Sequence, residues 1–187
     1  GVELALAMEH RLQNQANFHL IHRQQNLLPS HNVWVRRRLR RLMKRRNIQL
    51  HLGETAIAHV PNVIKCQSGS ALPCDWSIWV TEAGATPWIK QSGLATDERG
   101  FLAVNDKLQS RSHPFVFAAG DVATLIHAPH PKAGVFAVRH GKPLFQNLQA
   151  YLQGQPLQPY KPQRRYLSLI GSGDGQAIAS RGFLWAS

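Results

Sequence analysis

Cysteine is nearly missing from this 187-residue chain, which has only Cys66 and Cys74. Two thiols exclude a disulfide scaffold and a four-thiolate metal site. They do not form a CxxC pair, so a dithiol relay is not expected there. Acid is scarce, with 10 Asp and Glu against 22 Lys and Arg. No apolar run approaches the roughly 18 residues that a membrane-spanning helix needs. The opening Gly1-Val2-Glu3-Leu4 carries no basic leader or cleavage pattern, so no signal peptide is expected. The ten histidines include no HExxH and no closely spaced ligand set, so no metal site is expected. Hydrophobic residues make up 43%, which excludes wholesale disorder and allows a buried core. A cytoplasmic protein is expected.

The net charge of +12 points first to nucleic acid or an anionic membrane surface. Its distribution argues otherwise. Residues 35–46 hold 8 of the 22 basic residues and no acid. Val35, Leu39, Leu42 and Met43 recur there at i, i+4, i+7 and i+8, one stripe of a helix. Ser30 and Asn32 are candidate N-caps, and Asn47 is a plausible stop. The stretch is an amphipathic helix with a basic outer face. That face is either plainly solvated or an anion-binding surface. Only Trp34 adjoins it as a stacking aromatic, so nucleic acid is not expected as a partner.

The rest of the chain alternates strand and helix. Residues 2–15 are rich in Ala and Leu and read as a helix. Strands are expected at 18–22, 48–52 and, as a pair, at 56–60 and 62–67. Ser77-Ile78-Trp79-Val80-Thr81 reads as a strand buried on both faces. A strand follows at 101–104, and Phe115-Val116-Phe117-Ala118-Ala119 reads as another buried strand. Two helical segments are expected at about 132–140 and 143–152. Pro156, Pro159 and Pro162 mark a linker, and a hairpin flanks Gly171-Ser172-Gly173-Asp174-Gly175. This pattern is an α/β unit that opens on a helix, without a first strand.

The stretch from Phe115 into Gly120-Asp121-Val122-Ala123 carries the chemistry. It is expected to deliver Asp121 to the carboxyl end of a sheet, where open α/β folds bind ligands. Gly120 lets a ligand lie against the backbone, and the carboxylate can accept bonds from sugar-like hydroxyls. A plain Asp-capped turn is the alternative. Val116 to Ala123 resembles the second FAD motif of the two-dinucleotide flavoproteins. These are the pyridine nucleotide–disulfide oxidoreductases and their type II NADH dehydrogenase relatives. Residues 93–105, the strand ending at Thr81, and Pro131-Lys132-Ala133-Gly134-Val135 resemble that family's segments in order and spacing. Gly1-Val2-Glu3-Leu4-Ala5 resembles the end of its NAD-binding loop.

The resemblance implies a Rossmann-like NAD-binding unit lacking its first strand, followed by the returning part of a FAD-binding domain. Residues 1–83 would be the partial NAD(P)-binding domain, 84–160 the returning FAD segment, and 161–187 a linker with a C-terminal hairpin. It implies FAD and NAD(P)H as cofactors. Gly120, Asp121 and Val122, with the helix start at Lys132, Ala133, Gly134 and Val135, would hold the flavin. Gly1, Glu3, His22, Arg23 and Thr81 would meet the nicotinamide coenzyme, Glu3 near its ring. His127 and His130 follow the Gly-Asp motif and either approach the flavin or serve the loop, the loop being expected. No catalytic acid or base is implied.

Three departures matter. The N-terminal FAD-binding half is not in the sequence, so the chain is expected to be a fragment that alone holds neither cofactor tightly. His22 stands where an acid usually holds the NAD ribose, and Arg23 follows it, which favours NADPH. Val135 and Arg139 replace two glutamines of the quinone-using relatives and put quinone reduction in doubt. Pro87-Trp88, Ser112-His113-Pro114 and Pro162-Gln163-Arg164-Arg165 resemble the subgroup fused to selenide, water dikinase, implying that domain as a partner in one polypeptide. The implied function is a FAD-dependent NAD(P)H oxidoreductase with an unidentified acceptor. The alternatives are a degenerate flavoprotein scaffold or a basic anion-binding module.

Overall fold

Ala and Leu dominate the first residues, and in the computed structural model, which describes residues 1–13 and 15–186, they form α1 (Val2–Leu12). The expected helix reached residue 15; Asn14 lies outside the described residues. Gln13 closes the helix at a left-handed φ of 39°, its N–H bonding to the Glu9 carbonyl. β1 (His19–His22) follows, then α2 (Val33–Arg45), then β2 (Gln49–Leu52). Asn32 starts α2: its Oδ1 accepts the Trp34 and Val35 amides, each at 3.0 Å. Asn47 follows the helix at φ 53°. The apolar stripe read from the sequence, Val35, Leu39, Leu42 and Met43, is the buried stripe of α2.

β1 and β2 pair in parallel with His19 opposite Gln49 and Ile21 opposite His51. A parallel pair needs a crossover, and α2 supplies it. β3 (Ala56–Val60), β4 (Val63–Cys66) and β5 (Ala71–Pro73) form an antiparallel meander. Asn62, at φ 61°, makes its first turn possible.

Beyond β5 the expectation fails. Residues 77–81 form no strand, and Trp76 is 91% exposed, with Ile78, Trp79 and Val80 also exposed. A run buried on both faces requires a ladder partner on each side. The parallel sheet here is two strands wide, and none of the described strands pairs with this run.

In the next stretch, α3 (Pro87–Gln91) buries Ile89. β6 (Leu102–Val104) pairs in parallel with β7 (Ala123–Leu125). Residues 115–119 are a second correction. They make one isolated bridge, Gln109 to Phe117, and Phe115 is 66% exposed. Among the described residues their backbone bonds run to the loop at 108–110, through Ser110 to Val116 and Ala118 to Leu108, and from Val116 to the nearby His113 carbonyl, so no ladder propagates. The strand forms after the Gly-Asp motif instead of before it.

The two helical segments expected at 132–152 are one helix, α4 (Gly134–Leu152), with Pro143 inside it. Proline removes one helical hydrogen bond. Buried anchors on both sides offset the loss: His140 before it and Asn147 after it. Asn147 bonds to the carbonyls of Lys107 and Gln158 and to the Gln158 amide. The chain ends in β8 (Ser168–Gly171), β9 (Ala177–Arg181) and β10 (Leu184–Ala186), in spatial order β10-β9-β8.

Two compact units result: residues 1–81 with 165–187, and residues 82–164. The core of the first joins Leu6, Val35, Leu39, Met43 and Ile48 to Ile170 and Ile178 of the terminal hairpin. That hairpin, read from the sequence as a separate end piece, therefore packs with the first unit. The core of the second gathers Ile89, Leu102, Val104, Leu108, Ala123 and Leu125.

Candidate functional site

In the second unit, Gly120-Asp121-Val122 form a single 3₁₀ turn that leads into β7. Asp121 thus precedes a strand and does not end one, which corrects the expected placement at a carboxyl sheet edge. Gly120 sits at φ 69°, and a Cβ there would lie 3.3 Å from that of Ala137 in α4. Both facts favour glycine. Asp121 and Val122 are exposed.

α4 begins at Gly134 after Ala133, and no side chain caps it. The first amides of a helix have no partner within it, so those of Gly134 and Val135 are open donors at its positive end. Lys132 is turned inward. Its Nζ donates to the Ala123 carbonyl at 2.6 Å and to Thr124 Oγ1 at 2.9 Å, and lies 4.1 Å from the Phe101 ring centre. Burial pulls its pKa below the ordinary lysine value, against the pull of Asp97 and Asp121. Thr124 Oγ1 in turn donates to Asp97 Oδ2 at 2.7 Å. Burial opposes the Asp97 charge, yet the Thr124 hydroxyl, the Phe101 and Arg99 amides and Lys132 hold its carboxyl below the ordinary value.

The buried residue behind the turn is His140, with no exposure. The Gly120 amide donates to its Nδ1 at 3.0 Å. His130 Nε2 is 3.2 Å from His140 Nε2. His130 thus contacts a partner that sequence reading missed. The signal was available: Phe136, His140, Leu144 and Asn147 recur at helical spacing, so a histidine lies on a stripe that faces the core.

In the first unit, Gly1 precedes α1 and its carbonyl accepts the Ala5 amide at 2.9 Å. Glu3 Oε1 accepts the Gly171 amide at 2.9 Å. That oxygen of the carboxylate is taken up by the terminal hairpin. His22 ends β1, its Nε2 enclosed and without a hydrogen-bond partner, and Arg23 is exposed beyond it. Glu54, the acid nearest in the fold's hydrogen bonding, donates its amide to the His22 carbonyl but turns its carboxylate to Ser68 and Ser70. Thr81 is exposed in the irregular segment. The structure thus groups Gly120 to Val122 with the start of α4. It places Gly1 against β1, where a Cβ on Gly1 would lie 3.7 Å from Leu20. It gives Thr81 no such company. Among the described residues no group of three or more metal-ligating side chains occurs, and no helix is long and apolar enough to cross a membrane.

A family profile described as pyridine nucleotide-disulphide oxidoreductase matches residues 1–141. The chain belongs to that family. The chain is 25% identical over 97% of its length to the demethylphylloquinone reductase NdbB of Synechocystis sp., covering 46% of that protein. It is 27% identical over 75% of its length to ferroptosis suppressor protein 1 of Xenopus tropicalis, covering 40% of it. It spans about half, or less, of the length of these curated relatives. The fold matches an engineered water-forming NADPH oxidase solved with NADPH, with a TM-score of 0.76 and 21% identity, over 97% of this chain and 40% of that one.

Proposed function

We propose that this member of the pyridine nucleotide-disulphide oxidoreductases works in a FAD-dependent NAD(P)H oxidoreductase and supplies part of each cofactor site. The observation that carries the reading is the Gly120–Asp121 turn packed on the start of α4. A backbone turn that favours glycine brings an exposed carboxylate beside a helix start with open amide donors. A polyhydroxylated chain would bond to the carboxylate, and an electron-rich ring edge would be favoured at the positive helix end. These residues fit a flavin. When bound, FAD supplies the hydride-accepting chemistry. This chain's residues bind and orient: Asp121 accepts hydroxyl hydrogen bonds, and the Gly134 and Val135 amides donate. Lys132 fixes the loop to β7 and lies near enough to feel the Asp121 charge.

For the nicotinamide coenzyme, Gly1 and the start of α1 would receive the phosphates. His22 leaves the end of β1 without a carboxylate, and Arg23 adds a cation, which suits the 2′-phosphate of NADPH. Glu3 would reach the coenzyme only through the oxygen not bonded to Gly171.

The test uses the full-length protein. Its absorption spectrum should show flavin, and Asp121→Ala should weaken FAD binding about tenfold or more, with the far-ultraviolet circular dichroism unchanged. A colourless full-length protein that takes up no added FAD would establish the degenerate-scaffold alternative instead.

A further inference from the structure

We propose that His140 and His130 form a two-histidine clamp that positions the flavin-binding turn against the loop entering α4. The proposal rests on the reading above, in which that turn and the start of α4 belong to the FAD site.

The hydrogen bonds assign every proton. A backbone amide can only donate, so the Gly120 N–H at 3.0 Å requires a bare Nδ1 on His140. The ring proton of His140 is therefore on Nε2. That atom is 3.2 Å from His130 Nε2, which must then be the acceptor. The His130 proton is left on Nδ1, which is 3.1 Å from the Pro131 carbonyl, a group that can only accept. One pattern satisfies the whole chain, and it makes both rings neutral. A proton added to His140 would set Nδ1–H against the Gly120 N–H. A proton added to His130 would set two Nε2–H groups against each other.

The surroundings agree. His130 stacks on Phe136 with ring centres 4.0 Å apart, and His140 meets Tyr160 edge-on at 5.1 Å. The charged and titratable groups around His140 are His130 and Lys132, with Tyr160 against the ring and Arg139 acting on Tyr160. None of them is a carboxylate. Burial, then His130, then Lys132 bring the His140 pKa to about 4.

The chain cannot move protons, because it begins at a backbone amide and ends at a backbone carbonyl. Its effect is positional: it ties the residue before Asp121 to the segment that leads into Lys132 and Gly134. His140 and His130 are positioning residues acting through backbone groups.

The experiment has two arms on the full-length protein. Nitrogen-15 NMR of labelled histidines at pH 7.5 should show His140 as the Nε2–H form and His130 as the Nδ1–H form, and His140 should stay neutral down to about pH 5. A His140 that titrates above about pH 6, or carries its proton on Nδ1, overturns the clamp. This arm needs neither a variant nor flavin. In the second arm, His140→Asn keeps an acceptor at the Nδ1 position facing Gly120, His140→Gln carries its acceptor one carbon further out, and His140→Leu removes it. FAD should bind His140→Asn within about threefold of the parent, and the other two variants about 10- to 100-fold more weakly. Equal affinities in all three overturn the clamp. A parent protein that binds no FAD overturns the cofactor reading instead, and the NMR arm still decides the clamp.

Discussion

His22 shows how much one side chain decides. An acid at the end of β1 would accept hydrogen bonds from ribose hydroxyls and repel a 2′-phosphate. Histidine with Arg23 beside it brings no such repulsion. In the full-length protein, kcat/KM should favour NADPH over NADH. His22→Glu should shift that ratio toward NADH by about tenfold, roughly 1.4 kcal/mol of differential binding. A parent enzyme with a strong NADH preference would sink this assignment. At this scale a Gly-Asp pair after an apolar run suggests a chemistry for Asp121, but its place in a turn before β7 is not written in those residues. His140 was not legible, because a lone histidine inside a helix reads as ordinary until its neighbours in space are known. Glu3 shows the converse. Its position matched a family role, and only the fold revealed that Gly171, 168 residues later, takes one of its oxygens.

Elements differ in how far their own sequence specifies them. α2 was read correctly because its cap, stripe and stop are all local. The two apolar runs at 77–81 and 115–119 were misread because a strand is defined by its neighbours, and apolar composition does not supply them. The C-terminal hairpin illustrates a tertiary element built on local signals. Its turn glycines mark a hairpin, but Arg46 decides where it docks. The guanidinium donates to the Ser172 carbonyl and to Asp174 at 2.6 Å each and to the Leu6 carbonyl at 3.3 Å, with Glu9 3.6 Å away. Gly173, at φ 81°, lies so close to α1 that a Cβ would be 2.6 Å from the Ala7 Cα. Gly173→Ala should therefore cost about 2–4 kcal/mol from left-handed strain and backbone collision. Urea denaturation measures it, and a loss below about 1 kcal/mol would show that the hairpin moves aside freely.

Across the molecule, the histidines set an acid limit. Burial holds His19, His31 and His140 below the ordinary histidine value, His140 at about 4. A group with a lowered folded pKa binds its proton more readily in the unfolded chain. Its stabilisation is complete above about pH 6.5 and is lost as pH falls toward the folded value. Asp97, also depressed, adds a further loss below its ordinary value of 3.8. Unfolding midpoints in urea should fall steadily from pH 7 to pH 4, and His140→Asn should flatten the slope. A midpoint that is level over that window would contradict the burial of these rings. The +12 charge belongs to the same scale. Its main concentration lies on the outer face of α2, whose inner face is core, so the charge says little about the fold.

The amino-acid sequence by itself determined the α/β class, the amphipathic helix, the scarcity of thiol chemistry and the Gly-Asp motif. Each depends on spacing within a few residues or on composition. Only the tertiary structure decided which apolar runs become strands, that α4 continues through Pro143, where the terminal hairpin docks and that His140 holds Gly120. Those outcomes depend on hydrogen-bond partners and packing neighbours that are distant along the chain, and no local pattern encodes which of them will meet.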